Sequence, residues 1–196
     1  MAKKEKNIVF VCTGNTCRSP MAEYMAKDIA KEKGRTINFS SRGLAVNSSP
    51  ISKEACQVVS ELYPLSDIYQ HKPQSFGFFD YFRNNLVLTM TNSHKQKLLE
   101  GIKRPFFRGK VFTLREYTGL ADLEDVTGLD IADPFSAGEW PKSYLVENDL
   151  EDYLSDEAYE VKLSNHIWVI DPVVRMRAYS ECRDQIGKCL EELFRK

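Results

Sequence analysis

The chain has no excess charge of either sign: its 196 residues carry 27 Lys and Arg against 28 Asp and Glu, a formal net charge of -1. That balance, with no basic stripe, argues against a nucleic-acid binder. No apolar run approaches the ~20 residues of a membrane span, so no membrane association is expected. Internal repeats and low-complexity linkers are absent, and Lys3-Lys4-Glu5-Lys6 is a short solvated lead-in rather than a secretory leader. Five cysteines without such a leader point to a reducing compartment, and the expected location is cytoplasmic.

What the chain does contain is an alternation of apolar runs. Strand-like stretches at 7–12, 37–41, 85–90 and 110–112 alternate with helical stretches near 19–33, 51–62, 92–103 and 173–195. This pattern predicts a single three-layer α/β domain over residues 1–196, a four-stranded parallel sheet with helices on both faces and ligands at the C-terminal strand ends.

At the first of those ends stands Cys12-Thr13-Gly14-Asn15-Thr16-Cys17-Arg18-Ser19-Pro20, between the β-branched run Ile8-Val9-Phe10-Val11 and a helical stretch from Met21. A tight polar loop joining a strand to a helix N-terminus is an anion site, because successive N–H groups turn inward and the helix dipole adds positive potential. Arg18 supplies a planar fork for two phosphate oxygens. Cys12 is then expected to be held as a thiolate, the nucleophilic form, and phosphoryl transfer to its sulfur followed by hydrolysis is the reaction such a cradle suits. No metal or other cofactor is required. The loop does not read as a nucleotide-binding Walker sequence, which needs a second glycine and a lysine. Ser19 sits where its hydroxyl caps amides or donates to the Cys12 sulfur, with Pro20 in the first helical turn. Asn15 tolerates left-handed angles and is expected to brace the loop.

The segment Cys12 to Glu23 resembles the signature loop of the low-molecular-weight protein tyrosine phosphatase family. Asn85-Leu86-Val87-Leu88-Thr89-Met90-Thr91, Lys110 to Tyr117 and Asp130-Ile131-Ala132-Asp133-Pro134-Phe135 resemble later family segments in the same order, so roughly residues 7–138 and the last helix are covered. The resemblance implies a protein phosphatase working through a cysteinyl-phosphate, with Cys12 and Arg18 in the loop, a phosphorylated protein as substrate, and an aspartate in an Asp-Pro-aromatic loop as general acid. A positioned carboxylic acid contributes ~10² to 10⁴ in rate. Asp133 has the better local match. Asp171-Pro172 is the alternative, since the eight residues from Asp171 to Tyr179 fit the family's short interval to the last helix.

If Asp133 is the acid, the stretch at about 139–170 is an insertion, acidic and aromatic, with Trp140 and Trp168 near its ends. It is expected either to bind a protein partner or cover the cleft, or to decorate the surface as a solvated helix or hairpin. Thr16 resembles the arginine phosphatase branch, where typical tyrosine phosphatases of the family carry an aliphatic residue, so phosphotyrosine and phosphoarginine both stay open. Cys17 is a candidate redox protector, able to condense with an oxidised Cys12, or a small residue packed behind the loop. His71 resembles a family histidine that supports the loop at Asn15. Arg42 either adds charge near the substrate or faces water. Cys182 and Cys189 match the spacing of arsenate reductases related to this fold, but on a C-terminal helix positions seven apart share a buried face. An arsenate reductase-like enzyme and a non-catalytic phosphate-binding adaptor are therefore the alternative functions.

Overall fold

The computed structural model describes residues 6–102, 108–121, 126–164 and 166–196. Four parallel strands, β1 (Lys6–Cys12), β2 (Ile37–Gly43), β3 (Leu86–Thr89) and β4 (Val111–Thr113), form a sheet in the order β2-β1-β3-β4. β1 is central, and its alternation explains the layers. Ile8, Phe10 and Cys12 enter one core with Leu86 and Leu88, while Val9, Val11 and Val87 enter the other. A strand apolar on both faces is buried on both, as parallel sheets require.

Helices fill the two faces. α1 (Arg18–Glu32), α2 (Lys53–Leu62) and α7 (Pro172–Arg195) carry Met21, Met25, Val58, Val59, Tyr179, Ile186 and Leu190 into the first core. α4 (Asn92–Glu100) places Leu98 in the second. Two short helices, α3 (Phe78–Arg83) and α5 (Leu114–Thr118), complete the body. The predicted three-layer α/β architecture is therefore the observed one, with element ends shifted by one to three residues. The predicted helix 92–103 ends at Glu100, its last residue lying outside the described residues, as do residues 3–5 of the lead-in. The sequence reading missed α3 and α5, whose five or six residues are too few for a periodic signal.

A second, antiparallel sheet of order β5-β7-β6 is built from β5 (Glu139–Pro141), β6 (Tyr159–Leu163) and β7 (His166–Ile170), with α6 (Lys142–Glu147) between β5 and β6. Its two ends meet at one point. The Asp171 amide donates to the Gly138 carbonyl at 2.7 Å, and Gly138 sits at φ +73° with a Cβ position that would collide with the Asp171 carbonyl. Glycine is needed there on both counts.

Asp171 itself is fully buried and caps α7. Its carboxylate accepts from Val173 N at 3.0 Å, Val174 N at 3.1 Å, and the Ser155 amide and hydroxyl at 2.8 Å each. Burial alone would raise its pKa; these hydrogen bonds, led by that from the Ser155 amide, override it and hold the group below the usual carboxylate range. Asp171→Ala is expected to cost about 1–2 kcal/mol in urea denaturation. Because the native pKa is the lower one, the contribution is present above the unfolded value of ~3.9 and is lost as pH falls through the native one. The gap between wild type and variant should close on acidification, and a gap independent of pH would contradict this account.

Candidate active site

The loop 13–17 leaves the C-terminal end of β1 and enters α1 at Arg18, so the sheet itself aims it. Asn15 occupies the left-handed region at φ +58°, which turns its amide back toward Cys12, and Asn15 N donates to Cys12 Sγ at 3.3 Å. The Ser19 hydroxyl lies 3.0 Å from the same sulfur and 3.4 Å from the Arg42 carbonyl. Its oxygen accepts from Asn15 Nδ2 at 3.0 Å, which leaves the hydroxyl proton for the sulfur or that carbonyl. The Asn15 amide therefore donates to Cys12 and the Ser19 hydroxyl lies within bonding reach of the same sulfur.

The Asn15 side chain uses every bond it has. Nδ2 also donates to Ser41 Oγ at 2.9 Å, and Oδ1 accepts from Gln74 N at 2.8 Å and His71 Nε2 at 3.2 Å. Ser41 passes its proton to the buried Glu23 carboxylate, which also holds Lys27. His71 Nε2 reaches the Asn15 carbonyl as well, at 3.1 Å; two carbonyl-type acceptors require that nitrogen to carry the proton. Burial lowers the His71 pKa against the opposing pull of Glu23 and the Asn15 carbonyl, so the neutral ring is favoured. Gly43 lets β2 close on the loop, since a Cβ there would stand 2.7 Å from the Thr13 carbonyl.

Arg18 is 5% exposed and crosses from α1 to the segment after α5. Nη1 donates to the Ile131 carbonyl at 3.2 Å, Nη2 pairs with the Asp133 carboxylate, and Nε is buried without a partner among the described residues. Ile131 N in turn donates to the Met90 carbonyl at 2.8 Å and Asn92 N to Asp130 Oδ1 at 2.6 Å, which ties the segment 130–135 to the end of β3. The result is a cleft of about 230 Å³ with Cys12, Thr13, Gly14, Thr16, Cys17 and Arg18 on its floor. Asp133 and Phe135 form one wall, Ala45, Asn47 and Ser49 the other.

Cys12, Arg18, Asp133 and the loop residues are thus together, with Asn15 and Ser19 beneath the floor and His71 behind Asn15. Asp171 is elsewhere: the four hydrogen bonds to its carboxylate come from α7 and Ser155, and it does not line the cleft. Cys17 faces away from solvent, 3.3 Å from the Tyr179 hydroxyl, with its pKa raised by burial. Cys182 and Cys189 pack in the core at 2% exposure, and burial pushes the Cys182 thiol up to about 12. Arg42 neither lines the cleft nor faces water alone; its Nε pairs with Asp80 at 3.2 Å. Sequence reasoning missed the wall at 45–49, Ser41, Glu23, Gln74 and His94. The wall follows β2 and was findable from the strand-end rule. His94 gave no signal: it is buried on α4, bonded through Nε2 to Thr13 Oγ1 at 2.8 Å, and its pKa is lowered to about 4, first by burial and then by Arg18.

Residues 7–160 match the family model described as low molecular weight phosphotyrosine protein phosphatase. A protein-arginine-phosphatase of Bacillus subtilis is 37% identical over 158 residues, 80% of this chain and 97% of that protein. The low molecular weight protein-tyrosine-phosphatase PtpB of Staphylococcus epidermidis is 36% identical over 148 residues, 74% and 94% of the two chains. Among solved structures, a YwlE arginine phosphatase mutant with a phosphorylated active-site serine superimposes with a TM-score of 0.66 at 26% identity, covering 95% of this chain and 92% of that one.

The Asn15 network is testable through stability. Asn15→Gly keeps the left-handed backbone and leaves buried partners unsatisfied, which costs about 2–3 kcal/mol. Asn15→Ala adds about 1–2 kcal/mol of strain to that. Chemical denaturation should rank wild type above Gly above Ala, and a Gly variant as stable as wild type would show that the side chain braces nothing.

Proposed function

Since the chain belongs to the low molecular weight phosphotyrosine protein phosphatase family, we propose that its phosphoprotein phosphatase activity runs through Cys12, Arg18 and Asp133, with phosphoarginine the preferred side chain. The observation that carries the assignment is the convergence of Asn15 N and Ser19 Oγ on Cys12 Sγ in a cleft whose opposite wall is Asp133.

In the first step the Cys12 thiolate attacks phosphorus in line with the leaving group. An S–P bond forms, the P–N or P–O bond to the side chain breaks, and protonated Asp133 delivers its proton to the departing nitrogen or oxygen. The Arg18 guanidinium and the loop amides bind the three non-bridging oxygens, where charge gathers. In the second step Asp133, now a carboxylate, takes a proton from a water that attacks phosphorus. The S–P bond breaks, the thiolate is restored and inorganic phosphate leaves. Ser19, held by Asn15, hydrogen-bonds the sulfur as it departs.

Support for phosphoarginine comes from Thr16, a small polar side chain on the cleft floor, and from the relative named for that activity. Phosphotyrosine is the second reading, favoured by the family model's description and by Phe135, a ring on the wall against which a phenyl can lie. Two further roles belong to the same reading. Cys17 serves as the thiol that traps an oxidised Cys12, and residues 139–170 are an insertion in one phosphatase domain, set between the acid loop and α7. What supports the latter is that, among the described residues, β5, β6 and β7 pair only with one another, in an antiparallel sheet separate from the four-stranded parallel one. The core burial of Cys182 and Cys189 leaves arsenate reduction without support.

Cys12→Ser should abolish turnover of a chromogenic aryl phosphate. Asp133→Asn should slow substrates with poor leaving groups by ~10² to 10⁴ and activated aryl phosphates far less. Asp171→Asn, assayed under conditions where it stays folded, should keep near wild-type turnover; the reverse ranking would move the acid to Asp171. Thr16→Ile should shift the ratio of kcat/KM for phosphoarginine over phosphotyrosine peptides toward tyrosine by about tenfold, a transition-state difference near 1.4 kcal/mol. An unchanged ratio would remove Thr16 from specificity.

A further inference from the structure

The geometry points to the antiparallel sheet as a docking edge for an extended basic segment of the phosphoprotein substrate, one that alternates apolar residues with Lys or Arg and adds to β6 as a fourth strand. This inference rests on the phosphatase reading for the word substrate and on the sheet for the docking.

β6 is the outer strand of the order β5-β7-β6, so one row of its backbone N–H and C=O groups has no strand beside it among the described residues. Such an edge is a template for strand addition. Its two faces differ. The register pairs Tyr159 with Ile170, Val161 with Trp168 and Leu163 with His166, which gathers apolar side chains on one face; Glu160 with Val169 and Lys162 with Ile167 make up the other. α6 covers this second face, since Lys142 at its start bonds Glu160 at 2.6 Å while Leu145 and Val169 are both buried. On the first face Val161, Trp168 and Ile170 are half-buried, while Tyr159 at 51% and Leu163 at 55% stay exposed at the two ends of β6.

Charge decides what lies there. Residues 139–170 contain eight Asp and Glu against two Lys, a formal net charge of -6, while the remainder of the chain carries +5. Asp156 and Glu157 lead directly into β6, Glu160 lies within it, and Glu151 and Asp152 form the turn before. Lys142 is engaged by Glu160, which leaves Lys162 as the sole cation of β6. A strand added here places its apolar residues beside Tyr159, Val161 and Leu163, and its basic residues meet the acidic lead-in of Asp156 and Glu157 at the Glu160 end, with Lys162 disfavouring a cation at the other end, so alternation matches the edge and charge sets the partner. The sheet roots at Gly138 and Asp171, and five residues separate Asp133 from Glu139. A substrate bound on the edge is thereby tethered to the acid loop, and its phosphorylated residue samples the cleft at raised effective concentration.

The test uses the full chain and three fluorescent peptides: a Val-Arg alternating segment, its Val-Glu counterpart and a scrambled Arg-rich segment without alternation. Anisotropy at low salt should show binding of the first alone, weakened about tenfold in Asp156→Asn/Glu157→Gln/Glu160→Gln. Lys162→Pro, a separate variant that removes an outward N–H of the edge while making the edge more acidic, should also lose binding. Fusing the alternating segment to a phosphopeptide should lower its KM about fivefold to tenfold with kcat unchanged, and the triple variant should erase that gain while hydrolysing the aryl phosphate as wild type does. Equal binding of the acidic counterpart, or of the scrambled segment, overturns the proposal, as does a KM indifferent to the fused segment. If the aryl phosphate is not hydrolysed, the phosphatase reading fails, and the anisotropy result still decides the docking edge.

Discussion

A single amide, that of Asn15, holds the loop 13–17 in shape. Its backbone turns left-handed so that its N–H meets Cys12 Sγ, and its side chain fixes that turn by bonding Ser19, Ser41, Gln74 and His71 at once. Those partners come from α1, from β2 and from the segment after α2, so three pieces of chain converge on one residue. Buried polar groups of this kind are costly when any member is missing, and a fully satisfied set permits one geometry only. The strain of a non-glycine residue at positive φ is held in place by that saturation.

The segment 130–135 depends on a different tether. Ile131 hangs from Met90 at the end of β3, Asn92 from Asp130, and Arg18 bridges to both Ile131 and Asp133. Thus the floor and wall of the cleft are joined through the central strands rather than through the surface. The second sheet then leaves the body at Gly138 and returns at Asp171, where a backbone bond and a saturated carboxylate close its neck. Arg175, one turn into α7, pairs with Glu139 on that neck and with Glu54 on α2, so the added sheet is fastened to the helical layer that also packs behind the loop.

Two Asp-Pro pairs illustrate where reading a sequence stops. Asp133-Pro134 and Asp171-Pro172 are alike as dipeptides, and their spacing to the last helix favoured one while the neighbouring aromatic favoured the other. The fold separates them by surroundings. Asp133 has 46% of its side chain open in the cleft beside Arg18, whereas the buried Asp171 carboxylate takes four hydrogen bonds from a helix cap and from Ser155. Cys182 and Cys189 match the spacing of related arsenate reductases, yet positions seven apart on a helix share a face, and the continuous α7 buries both with Ile186 between them.

The sequence by itself determined the parallel sheet, the layer order and the loop after β1, because period, turn chemistry and the Cys12-to-Arg18 spacing are local properties of the chain. It also carried Asn15 and His71, since each lies where local chemistry or family pattern pointed. Only the tertiary structure decided which aspartate lines one cleft with Cys12, what stands behind Asn15, and that His94 reaches Thr13 from α4. Those facts arise from contacts between residues tens of positions apart. No local propensity encodes them, because the packing of helices on a sheet fixes the distances only after the chain has folded.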